Sequence, residues 1–292
     1  MRFPFSSIPR SYRLSAILAL VEASTTRQLL DLLVRKPTDL ELDAAALEIA
    51  RIEDPELDAS RYIQLLDQHA FEIATRADDL SDGRHFVETA NAYLFGELAF
   101  SGNHDNYYAA DNSFLNRVLE TRLGIPITLS VVYMEVARRL AKPVYGIALP
   151  GHFVIRYDDG VYSTFIDPFH GGTLIDDEGC RALARVETLD PAMLTPVDHR
   201  TIVMRMINNL RNVYFSNKDS AKALRLLDLL IAADPESADE HKQRGVALLH
   251  LRRVPEAVGA FRRYLELRPD ASDRETIQEQ LKSLGNWLAS LN

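Results

Sequence analysis

Hydrophobic positions recur at spacings of three and four through the N-terminal part of the chain, which puts them on one face of successive helices. The first stretch carries Leu29, Leu30, Leu32 and Leu33 and ends near Lys36-Pro37. A second runs from Leu42 through Ala46, Leu47, Ile49 and Ala50 to Ile52, ahead of Pro55. A third holds Ile63, Leu65, Leu66, Ala70, Phe71, Ile73 and Ala74, and Asp58-Ala-Ser60 before it offers N-cap chemistry. A fourth covers Phe86 to Phe100. Residues 13–100 therefore read as helical.

From residue 101 the pattern changes. Ser101-Gly-Asn-His-Asp-Asn-Tyr-Tyr108 is loop-like. A short helix is expected from Ser113 to Arg122, ending at Gly124. Pro126 then opens a helix with apolar residues at Leu129, Val132, Tyr133, Val136, Ala137 and Leu140, a spacing that predicts a central helix buried on one side. Three strand-like runs follow, Val144–Leu149, His152–Tyr157 and Tyr162–Phe169, and Asp158-Asp-Gly160 between the last two is a turn signal. Helices followed by strands make this part α+β.

Residues 200–292 return to helical spacing and contain a repeat. Ala223 and Ala257, Leu227 and Phe261, and Pro235 and Pro269 each stand 34 residues apart. That period, with Gly245 added, matches the tetratricopeptide pattern, although Arg211 replaces the glycine of the first helix in residues 202–235. Such helices form a scaffold, usually a surface that binds peptides or proteins, and a packing element clamped to the preceding domain is the alternative use. The expected boundaries are an α+β domain over 1–200 (helical 13–100, core 101–180) and repeat helices over 201–292.

Composition narrows the class. The chain has 292 residues, 26% of them charged, and a net charge of −9. Residues 200–292 carry 15 Lys/Arg against 12 Asp/Glu, and residues 1–199 carry 18 against 30, so the charge changes sign near residue 200. The acidic body argues against nucleic acid as a partner, since phosphates must be neutralised by cations. No apolar run reaches the ~18–20 residues of a membrane helix, and no membrane partner is expected. Arg2, Arg10 and Arg13 precede Leu14–Val21 in a faint likeness to an export signal, but the run ends at Glu22, so a soluble N-terminal helix is expected. Cys180 is the single cysteine. It can form neither an intramolecular disulfide nor a Cys-rich zinc site, and it fits a reducing, cytoplasmic setting.

The hairpin carries the sharpest chemical signal. A four-residue loop at 158–161 would pair Tyr157 with Tyr162 and set His152 opposite Asp167 on one sheet face. A carboxylate beside an imidazole fixes its tautomer and stabilises the imidazolium, and a structural pair in a half-buried sheet is the alternative use. A nucleophile would belong at the electropositive start of the helix after Pro126, where Thr128 and Ser130 stand. An N-cap role for Thr128 and a small-residue role for Ser130 compete with that reading. His170, with His152 and Asp167, gives a possible metal-ligand set, with His104 or Asp105 in reach of it. Asp111-Asn112 could bring an amide near the site or form an Asx-turn, and Tyr107 and Tyr108 could line a cleft or simply pack.

Four segments in order, Asn112-Ser-Phe-Leu-Asn-Arg-Val-Leu, Leu123-Gly-Ile-Pro-Ile-Thr-Leu-Ser130, Leu149-Pro-Gly-His-Phe153 and Phe165-Ile-Asp-Pro-Phe169, resemble the SirB1 family over about residues 40–270. The resemblance implies a transglutaminase-like (papain-like) α+β domain followed by tetratricopeptide repeats. Transglutaminase-like enzymes use a Cys that begins a helix and a His and an Asp on following strands. His152 and Asp167 match the second and third members. The Cys position falls near Ile127–Thr128, where this chain has no cysteine, and Cys180 comes after the Asp, out of order.

Three functions follow as expectations. The leading one is a non-catalytic or regulatory protein that binds a peptide or protein partner through its cleft and its repeats, with Asn112, Tyr108 and His170 as binding residues and no cofactor. A second is a hydrolase or acyltransferase using Thr128 or Ser130 with His152 and Asp167. A third is a metal-dependent site at His152, Asp167 and His170.

Overall fold

The computed structural model of the chain describes residues 24–34 and 40–290. The run Leu14–Val21 and the break at Lys36-Pro37 lie outside those residues. The described residues divide into two compact units, one of residues 40–210 and one that joins 24–34 with 211–290. The first described helix, α1 (Ser24–Leu33), belongs to the second unit.

In the first unit, α2 (Leu42–Ala50), α3 (Ala59–Arg76), α4 (Gly83–Asn91) and α5 (Leu115–Thr121) precede the central helix α6 (Pro126–Arg139). Asp58 caps α3 as the sequence suggests, its Oδ1 accepting from the Ser60 N–H at 3.1 Å. After α4 the chain continues as a wide helical turn, Ala92–Glu97. Two short strands, β1 (Ser101–Gly102) and β2 (Leu123–Gly124), pair in parallel and flank the loop that ends in the 3₁₀ turn Ala110–Ser113.

The expectation for α6 needs correction. Every residue from Pro126 to Ala137 is buried, so the helix is enclosed and not merely buried on one side. Helices α2, α3 and α5, the strands β3 (Val144–Ile147) and β4 (Val154–Asp158), and the 3₁₀ turn Pro168–His170 all pack against it. Among its polar residues, the hydroxyls of Thr128 and Ser130 turn back onto the backbone, and the Glu135 carboxylate is met by Arg138 and Arg139.

Five antiparallel strands form the sheet, in the order β6-β5-β4-β3-β7, with β5 at Ser163–Asp167, β6 at Thr173–Ile175 and β7 at Pro196–Val197. The hairpin loop has four residues but is placed one residue later than expected. Asp158 pairs with Ser163 and Ile155 with Ile166, so the pairing that would set His152 opposite Asp167 is displaced by two residues. Asp159 nucleates the turn, its Oδ1 accepting from the N–H groups of Val161 and Tyr162 at 2.9 and 2.7 Å. A shift of two keeps every side chain on its original face, whereas a shift of one would have reversed them. Helix α7 (Asp177–Ala184) follows β6 and buries Cys180 with Ile147, Leu149, Val154 and Phe165.

Helix α8 (His199–Ser216) runs through residue 200, where the charge balance changes sign, and on across the division of the units after Leu210. The described residues of the second unit hold helices and no strand: α1 packs with α9 (Ser220–Ala233), and α10 (Ala238–His250), α11 (Val254–Leu267) and α12 (Arg274–Ala289) follow in succession. Pro235 and Pro269 stand just past the ends of α9 and α11. Gly245 explains its own identity, because a Cβ there would lie 2.7 Å from the buried Phe261 ring. Arg211, in the corresponding place of the preceding repeat, is buried and reaches Glu240 at 3.4 Å. No helix among the described residues is long and apolar enough to cross a membrane.

Candidate functional site

Asp167 is the last residue of β5 and the cap of the turn Pro168–His170. Its Oδ1 accepts from the Phe169 N–H at 3.0 Å and the His170 N–H at 3.4 Å, which fixes the carboxylate plane. Its Oδ2 meets two imidazoles: His152 Nε2 at 3.0 Å and His170 Nδ1 at 2.7 Å. Burial pushes the Asp167 carboxyl up, but the hydrogen bonds and charge of the two histidines outweigh it and hold it below its ordinary value. An ionised carboxylate only accepts, so the ring nitrogen that each histidine turns toward it donates there. Asp167 is 1% exposed, whereas the His170 side chain is 46% exposed, so the cluster opens to solvent through His170.

His152 comes from the tight loop between β3 and β4. Gly151 takes φ +69°, a conformation that favours glycine, and the His152 N–H bonds back to the Leu149 carbonyl at 3.3 Å. Arg205, on α8, clamps this loop. Its Nη2 donates to the carbonyls of Leu149 and His152 at 2.8 and 2.6 Å, and its guanidinium lies 5.5 Å from the Phe153 ring centroid. The sequence reading did not single out Arg205. The signal was there, a lone cation inside the apolar run Ile202-Val-Met-Arg-Met-Ile207.

Aromatic rings surround the histidines. The His152 and His170 rings lie 5.8 Å apart at 26°. Phe169 stands edge-on to His152, His104 and His170, with centroids 6.0, 4.6 and 5.2 Å away. Tyr107 packs on Phe169 at 5.9 Å, and Tyr108 packs on Tyr107 at 5.3 Å. Gly102 lets Phe169 approach, since a Cβ there would meet its ring at 2.5 Å.

The other sequence candidates lie elsewhere in the hydrogen-bond network. Thr128 is the third residue of α6, and its Oγ1 donates to the Asn112 carbonyl at 2.7 Å while accepting from the Ile125 N–H at 3.1 Å. Ser130 Oγ donates to the Pro126 carbonyl at 2.8 Å. Both residues are 0% exposed, and Asp167 is the side-chain hydrogen-bond partner of His152. Asn112 is also engaged: its Nδ2 donates to the carbonyls of Asn106 and Tyr107 at 2.7 and 3.1 Å, and its Oδ1 accepts from Asn103 at 2.9 Å. That network ties down the loop that presents Tyr107 and Tyr108. Cys180 is 0% exposed in an apolar cluster, and burial pushes its thiol up to about 12.

Residues 60–208 match the model of the transglutaminase-like superfamily, and residues 210–282 match a tetratricopeptide repeat. A UPF0162 protein of Xylella fastidiosa (strain Temecula1) is 37% identical over 257 residues, covering 85% of this chain and 91% of that one. A UPF0162 protein of Vibrio cholerae is 25% identical over 199 residues, 66% of this chain and 73% of that one. Human F-box only protein 21 is 30% identical over 132 residues, 42% of this chain and 21% of that one. No solved structure matches. The chain belongs to the transglutaminase-like superfamily, among the UPF0162 proteins, and joins an α+β domain of that type to tetratricopeptide helices.

Proposed function

We propose that this chain acts by binding a peptide or protein partner, through its tetratricopeptide helices and the aromatic-rimmed surface around His152, and that it carries out no thiol acyl transfer. On the SirB1 resemblance, the nucleophile position is the start of α6. The observation that carries the reading is what Thr128 does there: its hydroxyl donates within the backbone, 2.7 Å from the Asn112 carbonyl and 3.1 Å from that of Ile125, and the same oxygen accepts from the Ile125 N–H at the start of α6. A hydroxyl needs a base at hydrogen-bond distance to become a nucleophile. Ser130 is likewise spent on the Pro126 carbonyl. The thiol of Cys180 is buried and poorly ionised, the opposite of the exposed, electropositive setting a reactive cysteine needs. Tetratricopeptide helices are interaction scaffolds, which supports the binding half of the proposal. The cytoplasm is the proposed setting, in keeping with a single cysteine.

The test is turnover of peptide amides, activated esters and amine donors by the intact chain and by His152→Ala. Both should sit at the uncatalysed background. A turnover that His152→Ala abolishes, while Thr128→Ala or Ser130→Ala lowers it by several orders of magnitude, would overturn the proposal in favour of a hydroxyl nucleophile.

A further inference from the structure

An orienting carboxylate serves one imidazole, but Asp167 serves two. His152 Nε2 and His170 Nδ1 reach the same Oδ2 from two loops, at 3.0 and 2.7 Å. One ligand atom from each of the three residues lies within 4.8 Å of the others. A zinc ion with bonds of about 2.0–2.1 Å to N and O holds its ligands on the order of 3.3 Å apart. Small side-chain movements therefore bring three donors onto one ion, which replaces the two N–H protons now shared with Oδ2.

We propose that His152, Asp167 and His170 form a binding site for a divalent transition-metal ion. Two imidazoles and one carboxylate select such ions over Mg²⁺ and Ca²⁺, which take mainly oxygen ligands. When the ion takes the place of those two protons, His152 Nε2 and His170 Nδ1 become the ligating nitrogens and each ring carries its proton on the other nitrogen. Asp167 Oδ1 is held by two backbone N–H groups, so Oδ2 is presented in a fixed direction. Arg205 holds the carbonyl of His152 and thereby the loop that carries this ring. The exposure of His170 gives an ion a way in and leaves outer coordination positions to water or to a donor group from a bound molecule. His104, with its ring 5.8 Å from that of His170, is the next imidazole outward.

Metal binding at these three residues is independent of partner binding and is read directly. Intact, chelator-treated protein is titrated with Zn²⁺ by calorimetry, and with Co²⁺ by visible absorption. The expected result is one ion per chain, a rise in melting temperature on Zn²⁺ addition, and a Co²⁺ spectrum of low coordination number. His170→Ala should weaken Zn²⁺ binding by at least about 100-fold. Its exposed side chain makes that variant safe for folding, whereas Asp167→Asn adds a second reading in which the carboxylate shape is kept. Binding below one ion per chain, or equal Zn²⁺ affinity in wild type and both variants, would overturn the site.

Discussion

Asp43 and Glu135 bring two carboxylates into the buried space beside α6, and Arg138 and Arg139 answer them. Arg139 reaches Asp43 at 2.7 Å and Glu135 at 2.8 Å, and Arg138 reaches Glu135 at 2.8 Å. The Glu135 side chain is 1% exposed. Arg138 still reaches Asp43 and Glu135, at 3.3 and 2.8 Å, so Arg139→Met should cost less than the about 3–5 kcal/mol of a buried charge left wholly unpaired, read from urea unfolding. Burial pushes the Glu135 carboxyl up against the opposing pull of Arg138, and it stays raised. The folded chain thus holds that proton to higher pH than the unfolded chain does. Stability from this group is complete below the ordinary glutamate range and is lost as pH rises through the raised value. Glu135→Gln, which cannot lose the proton, should gain stability relative to wild type as pH climbs through that window. Unfolding at a series of pH values, with the difference between the two proteins plotted, checks the sign. For Arg205, both hydrogen bonds are to backbone carbonyls, so Arg205→Ala should loosen the 149–152 loop. Hydrogen exchange at the His152 amide should rise in that variant, with the repeat helices unchanged.

Among elements, the hairpin shows how far sequence reaches. The loop length and the shared face of His152 and Asp167 are legible, because alternation and Asp-Gly chemistry act over a few residues. The register is not, because two aspartates in succession both turn the chain: Asp158 Oδ1 accepts from the Gly160 N–H, and Asp159 Oδ1 takes two N–H groups and sets where the loop closes. His170 was legible as a possible ligand, but its sharing of a single carboxylate oxygen with His152 depends on the turn Pro168–His170, which no spacing encodes. Strands β6 and β7 have three and two residues, too few for an alternation to be seen. In the repeats the 34-residue period is legible because each position meets the same neighbour. Gly245→Ala should cost about 1–3 kcal/mol through overpacking against Phe261. Phe261→Ala should cost about 3–5 kcal/mol, since the ring is fully buried. Thermal unfolding of the intact chain measures both.

At the scale of the whole molecule, the division into units does not follow chain order. Helix α1 reads in the sequence as part of the N-terminal helical region, yet its Leu29, Leu30 and Leu33 are buried in the unit that holds the repeats. Helical spacing tells which face is apolar and not which partner covers it, so this assignment had no local signal. Leu33→Ala should cost about 2–5 kcal/mol. The loss should show as faster amide exchange in α9, which α1 packs against, and leave β3–β5 unchanged.

The burial of Cys180 has a practical consequence. A thiol with a pKa near 12 presents on the order of one thiolate in ten thousand at pH 8, and the folded chain shields even that. A maleimide or disulfide dye can therefore reach the sulfur only when α7 lifts from the sheet. Since this is the chain's single thiol, labelling yields a single-site clock for opening of the α+β unit, with no engineered probe. The same clock, run with and without Zn²⁺, would time how strongly an ion on the strand β5 end holds that unit shut.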